Sequence, residues 1–130
     1  MSSSDHYEAL SPVQVEQKLR HCVTELTRAE RELRTARDAE TEAEIHYKSV
    51  YRKAILSADC PKVVRGGTTT AERDAWVDQQ CEGDWQALRI AQARREAAQD
   101  HLRVQRDIAT AVQSVGALVR SAYSVAGQTS

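Results

Sequence analysis

The chain has 130 residues, with 18 Lys and Arg against 19 Asp and Glu, 5 Gly, 2 Pro and no Phe. This length suggests a single domain, and a net charge of −1 argues against a chain whose main task is to coat nucleic acid or an anionic membrane. No apolar run approaches the roughly 20 residues that span a bilayer, and aromatic residues at 5% argue against a compact thick core and point to long helices and not to an enzyme.

Residues 1–10 are Ser-rich and aperiodic, which predicts a loose terminus without the basic or apolar part of a signal peptide. Ser11, Pro12 and Gln14 then form a helix start. Ser11 caps, Pro12 occupies the first helical position, where its missing N–H costs nothing, and Gln14 completes a capping box. The helix is expected over about 12–58. Along it Val15, Leu19, Cys22, Leu26, Ala29, Leu33, Ala36, Glu40, Ala43, Tyr47, Val50 and Ala54 lie alternately four and three residues apart. Only Glu40 breaks the apolar character of this seam. A sustained 3.5-residue period keeps one narrow stripe facing a partner helix.

A connection is expected at 59–69, where Pro61 and the pair Gly66 and Gly67 fall close together. Thr69 and Glu72 offer a second capping box, opening a helix over about 70–126, with residues 127–130 as a tail. Its first half presents Val77, Cys81, Trp85, Leu88, Ala91, Ala98 and Leu102, with Arg95 interrupting, and Gly83 and Gly116 are its weak points. After Asp107 there is no side-chain carboxylate and only one cation, Arg120. Two apolar stripes run side by side there. One is Val104, Ile108, Ala111, Val115, Leu118, Ala122 and Val125; the other is Ala109, Val112, Val119 and Tyr123. A single helix partner covers only one of them. The remainder must be buried either by Tyr7 to Leu10 folding back or by a second copy of the chain.

The expected fold is therefore all-α, a long antiparallel two-helix hairpin that oligomerises through its C-terminal helix. A lone hairpin buries little surface, which makes assembly the natural remedy. The candidate oligomer interface is Val104, Ile108, Ala111, Val115, Leu118, Val119 and Ala122. Glu40 in one seam faces Arg95 in the other if the hairpin register is right.

A search for chemistry returns little. His6, His21, His46 and His101 are scattered, and no HExxH or CxxC spacing exists. Gly66, Gly67, Thr68 and Thr69 lack the spacing and preceding strand of a phosphate loop. Cys22 and Cys81 read as small core residues, and Cys60 beside Pro61 as a more exposed thiol. Three cysteines without a pairing pattern fit a reducing, cytoplasmic compartment. No metal or cofactor is expected, nor a catalytic site.

The connection carries more information. Lys48, Arg52, Lys53, Lys62 and Arg65 surround one acid, Asp59, which makes this end +4 on a chain of net −1. Tyr47 and Tyr51 lie among these cations. Cations bind phosphates and aromatic faces stack on unpaired bases, so Lys48, Tyr51, Arg52, Lys53, Lys62 and Arg65 are candidate contacts for single-stranded nucleic acid. The alternative is that Tyr47 is a core residue and the cations merely keep this end soluble.

Four short elements add a resemblance over roughly residues 40–124. They are Tyr47, Tyr51 and Arg52; then Glu72, Arg73 and Ala75; then Leu102, Arg103, Arg106 and Asp107; and last Leu118, Arg120 and Ser121. This order resembles small bacteriophage helical-hairpin proteins of recombination gene clusters, which are similar to recombination mediators of the UvsY type. The resemblance implies a homo-oligomer in the host cytoplasm that assists a phage or host recombinase or annealing protein on single-stranded DNA. The rival expectation is a coiled-coil adaptor or inhibitor of another protein, with no DNA contact. Neither involves a membrane.

Overall fold

The computed structural model describes residues 10–128, and all regular structure within them is helical. Helix α1 spans Pro12–Leu56, α2 Thr70–Gln80 and α3 Glu82–Gln128. The expected terminus at residues 1–9, with Tyr7 and His6, lies outside the described residues. By contacts the chain divides into two compact units. One joins residues up to Arg31 with those from Asp100 onward; the other is Glu32–Gln99.

Helix α1 begins as its sequence dictates. Ser11 Oγ accepts from the Gln14 N–H at 3.2 Å, while Gln14 Oε1 accepts from the Ser11 N–H at 2.8 Å. Both halves of the capping box are formed. No Gly or Pro interrupts the next 44 positions, so nothing stops the helix before Leu56.

In the first unit, Val15, Cys22 and Ala29 of α1 are buried and Leu19 and Leu26 half-buried. Opposite them α3 buries Leu102 and Gly116. A Cβ built on Gly116 would stand 2.8 Å from Val15 Cγ1. This glycine is therefore a point of close approach between the two helices, and not the weak point that propensity alone suggests.

In the second unit, Leu33 and Ala54 of α1 are buried, and Ala36, Glu40, Ala43, Tyr47 and Val50 are half-buried. Its densest packing is at the connection. There Ala54, Cys60, Val77 and Cys81 form one buried cluster, with Tyr47, Val50, Tyr51 and Trp76 packed around it. Cys60, expected to be exposed, is only 8% accessible because residues after α1 turn back toward the helix. The Ser57 N–H bonds the Ala54 carbonyl and the Cys60 N–H the Ser57 carbonyl, which brings the thiol over Ala54. The glycine pair closes a second turn. Gly66 has φ +79°, and the Gly67 and Val64 backbones are joined by an N–H···O bond of 3.1 Å.

The expected single second helix is two. Thr69 Oγ1 caps α2 through the Glu72 N–H, as the sequence indicates. At Cys81 the ladder slips. Its N–H is shared between the Val77 and Asp78 carbonyls at 3.1 and 3.2 Å, and its φ and ψ of −104° and 7° leave the helical basin. Gly83, two residues on, adds helix-weakening backbone freedom. The Trp85 N–H still reaches the Cys81 carbonyl at 2.9 Å, so the interruption is one residue wide.

The inward stripe of α2 and α3 also differs from expectation. It runs through Val77, Cys81, Asp84, Leu88, Ala91, Arg95, Ala98, Leu102, Gln105, Ala109, Val112, Gly116 and Val119, each buried or half-buried, again four and three apart. Trp85 stands outside it, half exposed.

The Gly116 contact yields a test. Gly116→Ala should lower stability by about 1–2 kcal/mol, because overpacking against a stiff β-branched neighbour outweighs the better helix propensity of alanine. In a Val15→Ala background the same change should cost less or stabilise. Urea unfolding midpoints of the four chains in this cycle check it.

Candidate interaction surfaces

Two surfaces carry the residues singled out by sequence, one in each unit. In the second unit, the seam's charged position is satisfied as the register required. Arg95 Nε donates to Glu40 Oε2 at 2.6 Å, with both side chains about three-quarters buried. This hydrogen bond holds the guanidinium proton above its ordinary affinity, outweighing the opposing effect of burial. One helical segment further, His46 Nε2 lies 2.8 Å from Asp84 Oδ1. Asp84 thus occupies an inward position with a partner across the interface, while Trp85 beside it is half exposed.

The basic end is reached through α1. Lys48 is paired with Glu44 at 2.9 Å on its own helix, so its charge is largely committed. Arg52, Lys53, Lys62 and Arg65 form no ion pair among the described residues. All four are exposed. Tyr47 and Tyr51, one turn apart, have ring centroids 6.1 Å apart at 48°. Their rings pack on the Ala54–Cys60–Val77–Cys81 cluster, and with Lys48, Arg52 and Asp78 they line a shallow open groove. Burial pushes the Tyr47 phenol above its ordinary pKa, and Asp78, Cys81 and Tyr51 add to the rise. The groove therefore mixes a cation pair with a carboxylate and a neutral phenol. The unpaired positive charge lies with Arg52 at the edge of this groove and with Lys53, Lys62 and Arg65 in and before the connection.

Sequence reading missed the apolar component of this end. Leu56 is 83% exposed, and Val63, Val64 and Ile55 are also open to solvent. The run Lys62, Val63, Val64 and Arg65 carried the signal, since a loop is the one place where adjacent apolar residues find no seam.

In the first unit, Val104, Ile108, Ala111, Val115, Leu118 and Ala122 are all exposed, Leu118 at 72%. Val125 extends the stripe. Val119, placed by sequence on the same interface, is half-buried on the inward stripe instead. Beside Ile108 an open groove is lined by Leu10, Gln14, Gln17, Lys18, His21, Cys22 and Val112. Leu10, the first described residue of the segment considered for folding back, borders this groove; Tyr7 to Ala9 lie outside the described residues. No helix among the described residues is long and apolar enough to cross a membrane.

No family model, no curated protein and no solved structure matches this chain.

The thiols give a pH-dependent readout of the cluster. Burial, followed by Asp84 and Asp78, raises the Cys81 pKa above its ordinary value of 9.0. The folded state then holds a proton that the unfolded chain gives up, so stability must fall as pH climbs from about 9 toward the folded value. Tyr47 adds the same sign of effect from its ordinary value of 10.0. Unfolding free energies measured between pH 7 and 11 should decline, and Cys81→Ala should flatten the decline. An unchanged slope would remove Cys81 as its source.

Proposed function

We propose that this protein is a self-assembling helical accessory of phage-type DNA recombination, which presents basic ends to single-stranded DNA or to the recombinase or annealing protein working on it. The observation that carries the assembly part is the exposed heptad of α3. Six apolar side chains from Val104 to Ala122 stand open to water on a face without a charged residue between Ile108 and Val119. Contiguous apolar surface of this kind marks an association site on a soluble chain.

An antiparallel hairpin is the arrangement we assign to each chain. Its support comes from paired numbers that run in opposite directions, one rising as the other falls: Val15 meets Gly116, Glu40 meets Arg95 and His46 meets Asp84. The DNA part is supported by Arg52, Lys53, Lys62 and Arg65, whose charge no neighbouring carboxylate takes up in an ion pair. Four such cations give weak, salt-sensitive phosphate binding on their own. Assembly multiplies them, since several weak contacts on one scaffold combine through effective concentration. The role in recombination rests on the order of short motifs shared with small phage hairpin proteins.

A second reading is a protein adaptor or inhibitor that does not touch DNA. It is favoured by one observation at the same end. Tyr47 and Tyr51 are partly buried against the core cluster, while Leu56, Val63 and Val64 are exposed.

Sedimentation and DNA titration separate these readings. The wild type should sediment above monomer mass, and Val115→Glu with Leu118→Glu should sediment as a monomer. Labelled single-stranded DNA should bind the wild type with an affinity that falls as salt rises. Lys53→Glu, Lys62→Glu and Arg65→Glu together should weaken binding at low salt at least tenfold. Assembly without salt-dependent DNA binding selects the adaptor; a monomeric wild type overturns both the assembly and the multivalent argument.

A further inference from the structure

We infer that the exposed heptad of α3 takes a second copy of the same helix in antiparallel orientation, about a two-fold axis level with Gln113. The inference rests on the self-assembly reading above and adds partner, direction and register to it.

The argument begins with the order of side-chain sizes. The exposed stripe reads Val104, Ile108, Ala111, Val115, Leu118 and Ala122. In a parallel pair each residue meets its own copy. Ala111 and Ala122 would then form two thin layers, and Ile108 and Leu118 two thick ones. Two rigid helices at one spacing cannot satisfy both. Either the alanine layers leave voids or the leucine layer is forced apart, and each costs packing energy.

Reversing one copy removes the conflict. With the axis at Gln113, Val104 meets Ala122 of the second copy, Ile108 meets Leu118, and Ala111 meets Val115. Every alanine now faces a valine, and the two largest residues face each other at symmetric positions on either side of the axis. No alanine meets an alanine. The pattern is self-complementary in this direction and register, as a two-fold interface requires.

The flanks agree with a homotypic partner. Thr110, Ser114, Ala117 and Ser121 border the stripe, so pairing two identical faces meets no like-charge repulsion there. Asp107, the one acid close to the stripe, lies at opposite ends of the antiparallel pair. The α1 helix cannot supply the same surface. Outside its inward seam, its stretch in this unit has only Val13 and Val23 as large exposed apolar residues. A second copy of α3, which carries this stripe itself, is the matching surface. Two copies paired over these six layers bury on the order of 1,000 Å² in total, where specific interfaces begin.

Charge-swap chains test direction directly. Ile108→Glu and Leu118→Lys should each give monomers, with helix content by circular dichroism unchanged because both positions are exposed. Combined in one chain, the two changes sit ten residues apart and do not meet within the helix. In the antiparallel pair each Glu faces a Lys of the other copy, so the double variant should recover at least tenfold in dimer affinity over either single variant. A double variant no better than the singles overturns the inference. A mixture of Ile108→Glu and Ile108→Lys chains that forms a heterodimer establishes parallel pairing and overturns it as well.

A second measurement is independent of charge. Nitroxide labels on Ser124→Cys should lie about 30 Å apart in the antiparallel dimer, given ~1.5 Å per residue from the axis. A separation near 10–15 Å in the wild-type background means parallel helices. A wild type that is monomeric throughout defeats the self-assembly reading itself, whereas a dimer with the wrong distance defeats only the register.

Discussion

The narrowness of the helix–helix seam is the constraint on which the remaining structure depends. Its buried positions are small: Val15, Cys22 and Ala29 in one unit, Ala54, Cys60, Val77, Cys81 and Ala91 in the other, with Leu33 and Leu102 the only large residues among them. Small residues let backbones approach, and the approach is close where Gly116 lies under Val15. The cost is a small buried apolar area, at roughly 25 cal/mol per Å². Such a seam holds two helices in register but leaves little margin. A polar contact across the seam, Arg95 with Glu40, adds to this apolar burial.

Most of α1 was legible because one signal dominates it. Its twelve seam positions are all buried or half-buried, as their spacing requires. The Ser11 and Gln14 box and the Glu40–Arg95 contact were equally accessible, since each follows from spacing and charge alone. The register of α3 was not. Trp85 is the more hydrophobic residue, but Asp84 holds the inward position, with His46 opposite at 2.8 Å. Gln105 and Gly116 are likewise inward at positions that apolarity alone passes over. Where two apolar stripes lie about 100° apart, hydrophobicity does not say which faces the partner. Glycine decides it here, through closeness of approach.

The break at Cys81 and the burial of Cys60 share a cause. Both cysteines belong to the cluster that closes the end of the second unit, with Val77 fully buried between the ring systems of Tyr47, Tyr51 and Trp76. A one-residue slip in the ladder costs part of a hydrogen bond, while burying a valine and a thiol returns more. Local sequence shows Gly83 as a weak helix former but does not show the cluster that exploits it. The same cluster alters the meaning of the tyrosines. Residues that look like a stacking platform when read among cations pack, in three dimensions, against a core, and the unpaired charge lies at the last turns of α1 (Arg52, Lys53) and in the connection (Lys62, Arg65).

The two outward features are complementary in kind. Along α3 the outward face past Asp107 is apolar and, apart from Arg120, uncharged; at the connection the surface carries unpaired cations beside exposed Leu56, Val63 and Val64. A monomer gains nothing from the first, since each exposed large side chain forgoes about 1.5–3 kcal/mol of burial. A seam as thin as this one makes that loss significant. Near-neutral net charge is then best understood as the sum of unlike parts: an acidic and basic helix surface that cancels, an apolar face that must be covered, and a cationic end that is not neutralised. Averaging hides the division of labour, and the side-chain contacts recover it. The apolar stripe lies in the first unit and the unpaired cations in the second, so the two features belong to different units and differ in the chemistry they offer to a partner.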